Sequence, residues 1–115
     1  MDYPQGTILR RRLGGLCGLL AWHWGICVGD GSVVHFNGQR RKEREAKIKL
    51  GSVGAFADGH RVYIHRRPIS QGHAEAICRE ALRLYRLAER NGFDGAYDFA
   101  FWNCQDFCRT CYRAQ

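Results

Sequence analysis

Near Ser70 the apolar residues of this 115-residue chain change from alternation to helical steps, which restricts the architectures open to it. From Ser70 to Arg90, Ala74, Ile77, Cys78, Ala81, Leu82, Tyr85 and Ala88 recur at three- and four-residue intervals, one face of a helix. Ser70 is placed to cap its start and Asn91-Gly92 to end it. Upstream, short β-rich runs read as strands: Thr7–Arg10, His23–Val28, Ser32–Phe36, Lys47–Leu50 and Arg61–His65. Gly29-Asp30-Gly31 is a hairpin loop, and Asn37-Gly38 and Asp58-Gly59 are turns. Downstream, Tyr97, Phe99 and Phe101 alternate towards Asn103, where a short last helix begins with Asp106 in its first turn. Strands first and helices last predict an α+β fold, an antiparallel sheet packed against helices. Neither a repeat nor a linker divides residues 1–115, so a single domain is expected.

The 45% hydrophobic fraction suits a packed core. The longest apolar stretch, Leu13 to Trp22, has ten residues and three glycines, so no transmembrane segment is expected. It also lacks the cleavage pattern of a secretory signal, which points to a cytoplasmic protein. In that setting the six cysteines are read as thiols, with Cys104, Cys108 and Cys111 on one helical face. The net charge of +7 is densest between Gln39 and Lys49, where Arg40, Arg41, Lys42 and Arg44 crowd together. Such a surface attracts an anionic membrane, with nucleic acid the less favoured partner. The apolar Leu13–Leu20 segment offers a second place for peripheral membrane contact.

Cys104 and two histidines are the candidates for chemistry. With Asn103 as N-cap, Cys104 is the first residue of the last helix, where unpaired N–H groups and the helix dipole favour a thiolate. The same N–H groups are placed to hold an oxyanion. A three-residue hairpin loop, Gly29 to Gly31, pairs Val28 with Ser32 and sets Gly25 opposite His35. His23 and His35 then stand on one face as diagonal neighbours, whereas a two-residue loop turns them to opposite faces. On one face, one imidazole serves as base to the thiol while the other orients it.

The run His23-Trp-Gly-Ile-Cys-Val-Gly-Asp-Gly-Ser-Val-Val-His35, with Asn103-Cys104-Gln-Asp-Phe107 far downstream, resembles the lecithin:retinol acyltransferase-like proteins. That family includes small phospholipase/acyltransferases on a circularly permuted relative of the NlpC-type and papain-like thiol enzymes. The resemblance implies Cys104 as nucleophile, His23 as general base and His35 as the residue orienting it, with a phospholipid or other acyl donor. It departs from the family's Asn-Cys-Glu-His-Phe at Gln105 and Asp106, neither of which is the nucleophile or base.

Rival readings are thinner. Cys104-x3-Cys108-x2-Cys111 matches the cluster signature of radical S-adenosylmethionine enzymes, but those need a far longer barrel with the motif near its start. A lone Cys-x2-Cys pair is little for zinc, so neither metal nor cofactor is expected. Two alternatives stay open. One is a non-catalytic binding module on the same fold, in a virus or phage, holding nucleic acid or a protein through its basic surface. The other is a thiol amidase or peptidase.

Overall fold

The computed structural model describes residues 3–12, 22–36, 48–91 and 104–115. Its period-two runs form strands β1 (Ile8–Arg12), β2 (Trp22–Gly29), β3 (Ser32–Phe36), β4 (Ile48–Ser52) and β5 (Val62–Arg66). They make one five-stranded sheet in the order β4-β3-β2-β1-β5, every neighbouring pair antiparallel. A short helix, α1 (Val53–Ala57), joins β4 to β5, and α2 (Gln71–Asn91) and α3 (Cys104–Tyr112) follow. The predicted α+β class is the observed one.

Ser70 caps α2 as its sequence position suggests, its hydroxyl accepting from the His73 N–H at 3.0 Å. The apolar stripe of α2 and the Cys104, Phe107, Cys108, Cys111 face of α3 pack on Ile8, Trp24, Ile26, Val34 and Phe36. Each large apolar side chain removed from water in this layer is worth about 1.5–3 kcal/mol. The opposite face of the sheet gathers Leu9, Cys27 and Val33 around Phe56 of α1. Ser52 caps α1 by accepting the Ala55 N–H, and Asp58 ends it in a left-handed conformation. Cys27, Cys78, Cys104, Cys108 and Cys111 are all buried thiols, none joined in a disulfide.

The central hairpin departs from expectation in an instructive way. Its loop has two residues, Asp30 and Gly31, both at positive φ (54° and 70°), the signature of a type I′ turn. Alone, that loop sends His23 and His35 to opposite faces. Pairing, however, runs Ile26 with Val34, Cys27 with Val33, then Gly29 with Ser32, so Val28 is an extra, bulged residue. One residue fewer in the loop and one more in the strand cancel. Continued inward, the register sets Gly25 opposite His35, as a three-residue loop does.

The basic run Arg40, Arg41, Lys42 and Arg44, the Leu13–Leu20 segment, the Tyr97–Phe101 alternation and the Asn103 cap lie outside the described residues.

Gly25 leaves room for Phe56. A Cβ there meets Phe56 Cε1 and Val33 Cγ1 at 2.7 Å each. Gly25→Ala should therefore lower stability by about 1–3 kcal/mol through overpacking. Thermal denaturation checks this, and an unchanged melting temperature would refute the close packing.

Candidate active site

The site begins with the direction of backbone groups in β2. Cys27 donates its N–H to Thr7 O at 2.9 Å and accepts the Gly6 N–H at 2.7 Å, so its polar groups face β1. Because these directions alternate along a strand, Trp24 N–H and Trp22 C=O face the β3 side. Ladder pairing with β3 ends at Ile26 and Val34. There the Trp24 N–H donates to Cys104 Sγ at 3.3 Å, and the sulfur lies 3.9 Å from Trp22 O. The thiol stands where the next ladder partner of β2 would be, against the backbone of Trp22 and Trp24.

On the other face the two imidazoles meet. His23 Nε2 and His35 Nδ1 are 2.9 Å apart, with the rings nearly perpendicular. Phe56 stacks on His23 and meets His35 edge-on, each at 5.4 Å between centroids. Arg11 lies directly across from His23 in β1, and its Nε donates to the Phe56 carbonyl at 2.6 Å. Neither Arg11 nor Phe56 was singled out from sequence. Arg11 looked like one of three like charges in Arg10–Arg12, although strand alternation separates it from both neighbours. Phe56 belongs to a helix too short to show a period.

Burial dominates the electrostatics. It depresses His23 to about 3, helped by His35 and Arg11, and His35 to about 4, helped by Lys49 and Arg11. Both rings are therefore neutral at physiological pH and share one N–H···N bond. Burial also raises the Cys104 thiol, against the pull of the Trp24, Cys104 and Gln105 amides and the Arg11 charge. The expected thiolate at the helix start is thus not the resting state, because desolvation outweighs the helix terminus. The other thiols on this side are pushed up too, Cys78 to about 11 and Cys108 well above its ordinary value.

The structure thus brings His23 and His35 together and sets the Cys104 sulfur against the β2 backbone at Trp22 and Trp24, the residues on either side of His23. Asn103 and the four basic loop residues lie outside the described part. Among the described residues no group of His, Cys, Asp or Glu is arranged to hold a metal ion. Among them, too, no helix is long and apolar enough to cross a membrane.

A cysteine at a helix start, set against a histidine pair on an antiparallel sheet, is consistent with a papain-like fold. The model of the lecithin retinol acyltransferase family matches residues 8–115, and the chain belongs to that family. No curated protein matches it. Membership suggests a thiol enzyme of the acyltransferase or phospholipase type and implies lipid acyl substrates.

The histidine pair also sets an acid limit. Unfolded, both rings titrate near 6.5; folded, at about 3 and about 4. Between those values the unfolded chain binds more protons, so stability is lost as pH falls below about 6.5. Melting temperature should drop steeply from pH 6.5 to 4. In the double variant His23→Asn, His35→Asn that slope should flatten, and an undiminished slope would rule out the pair as its source.

Proposed function

We propose that this chain is a cysteine-nucleophile acyl-transfer enzyme, working as one unit over residues 1–115, that accepts an acyl group from a phospholipid onto Cys104. The observation that carries this reading is the Cys104 sulfur at the first turn of α3, held by the Trp24 N–H and near Trp22 O, on either side of the residue whose imidazole bonds His35.

With its proton on Nε2, His23 donates to His35 Nδ1 and keeps Nδ1 as the basic nitrogen; the tautomer is assigned from this bond. His23 Nδ1 takes the thiol proton as Sγ attacks the ester carbonyl carbon, and the carbonyl π electrons move to oxygen. N–H groups in the first turn of α3 stabilise that oxyanion. When the tetrahedral intermediate collapses, the C–O bond breaks and the His23 proton passes to the departing lysophospholipid oxygen. A thioester remains on Cys104. Water releases the fatty acid, or an amine or hydroxyl acceptor takes the acyl group, with His23 accepting the proton of either. His35 keeps His23 in the useful tautomer, and the Arg11 charge favours the thiolate as it forms. Arg40, Arg41, Lys42 and Arg44 would hold the enzyme to anionic headgroups. A thiol amidase runs through the same thioester from a different donor; the family match favours the lipid.

Intact-mass spectrometry after incubation with phosphatidylcholine should show one acyl adduct, absent from Cys104→Ser. His23→Ala should slow turnover by about a hundredfold or more, the usual contribution of a general base. His35→Ala should cost less, and Cys108→Ala should leave turnover intact. A Cys104→Ala protein as active as wild type would end the proposal. Neutralising the four loop cations should weaken vesicle binding by about 1 kcal/mol each at low salt. That difference should fade in high salt, as measured by cosedimentation.

A further inference from the structure

A second group of polar residues lies on the α3 side of the sheet, around the β1–β5 edge. β5 pairs Arg66 with Ile8 but Ile64 with Leu9, so His65 is an extra residue in the strand. The bulge turns both His65 and Arg66 towards α3. The His65 ring lies 4.2 Å from Trp24, and the Arg66 guanidinium lies 4.3 Å from the centre of the Tyr112 ring. Arg109 of α3 and Arg113 just beyond it complete a cavity of about 180 Å³ walled by Trp24 and Tyr112.

Three features distinguish this cavity from ordinary surface. No carboxylate lines it, although three arginines do. Asp106 lies 3.6 Å from Arg109 in a partly exposed contact within one helical turn, a weak pairing. Next, Trp24 on its wall has a buried indole Nε1 with no hydrogen-bond partner among the described residues, and so does Nε of Arg10, directly opposite in the β1–β2 register though not in the lining. Trp24 is only 8% exposed, and a buried donor without an acceptor costs stability. Finally, the local field is positive: burial and the charges of Arg10, Arg66 and Arg109 hold His65 below its ordinary value.

We propose that this cavity is an anion site for a phosphate group, gripped by Arg66, Arg109 and Arg113 with the Trp24 indole as a neutral donor. Guanidinium groups match phosphate oxygens in a fork, and several cations facing one another are stabilised by an anion between them. The phosphate has two available sources, a phospholipid headgroup or a free phosphate. Exposed Tyr63, Ile64 and Ile69 lie on β5 and just after it, with Ile69 82% exposed, and apolar residues beside cations suit a phospholipid surface. The Tyr112 hydroxyl donates to Arg67 O at 2.7 Å and ties that segment to α3. Trp24 is joined to Cys104 through its backbone N–H, a bond that a serine hydroxyl also accepts, so Cys104→Ser protein should bind equally well.

The test follows the Trp24 indole ¹H–¹⁵N resonance, assigned with Trp24→Phe, during titration with inorganic phosphate against chloride at equal ionic strength. Phosphate should shift it saturably, and chloride should not. Arg66 and Arg113 are both exposed, so the double variant Arg66→Gln, Arg113→Gln should fold and lose at least tenfold in affinity. Arg79→Gln with Arg86→Gln, on the exposed face of α2, should lose nothing. Cosedimentation with phosphatidylcholine vesicles, with and without phosphatidic acid, separates the sources. Binding that needs phosphatidic acid and fails in Arg66→Gln, Arg113→Gln assigns the headgroup, while phosphate binding without vesicle binding assigns a soluble phosphate. An equal response to chloride, or an equal loss in the α2 variant, would overturn the site. So would a response to duplex DNA and to neither phosphate source, which would make it a contact for a nucleic-acid backbone.

Discussion

The hydrogen bond from the Trp24 amide to the Cys104 sulfur is the contact on which the arrangement depends. It fastens the first turn of α3 to the middle strand at the point where β2 and β3 stop pairing. A helix packed on the face of a sheet ordinarily touches it through side chains alone. Here the sulfur enters the plane of the ladder and takes up a donor that β3 has left. From that position it touches backbone groups on either side of His23, although the His23 ring and α3 lie on opposite faces. The core beneath α3, with Phe107, Cys108 and Cys111 fully buried, holds the helix at that depth.

Depth has an electrostatic consequence. The sulfur collects three amide donors and the field of Arg11, all of which favour the thiolate, yet burial keeps it protonated at rest. The same burial keeps the imidazoles neutral. At rest the thiol and both imidazoles are therefore uncharged together. Arg11 reaches this site from β1 because it also secures Phe56, the aromatic wall against which both imidazoles rest.

Much of this was legible in the residues. The period of α2, its Ser70 cap and the start of α3 at Cys104 each follow from local chemistry that acts over a few positions. The shared face of the histidines, by contrast, was reached from a three-residue loop and is produced instead by a two-residue turn and a bulge. What was not legible came from longer range. Val28 gives no sign in sequence that it will bulge, since β-branched residues suit regular strands equally well. Arg11 and Phe56 belong to the site through contacts made 45 residues apart. The protonation of Cys104 is set by how much water the fold excludes, which spacing alone does not reveal.

The compensation between the two-residue turn and the Val28 bulge has a consequence for how such chains vary. His23 and His35 are twelve positions apart, and what keeps them on one face is a parity rule: the hairpin tolerates changes of length only in steps that leave the two ring-bearing positions in phase. A single inserted residue is silent if a bulge is gained or lost with it, and otherwise turns one histidine to the wrong side of the sheet. Turn and bulge therefore behave as one inherited unit. Relatives with a different loop should carry a matching change in the strand, so hairpin length alone is a poor guide to whether the pair survives.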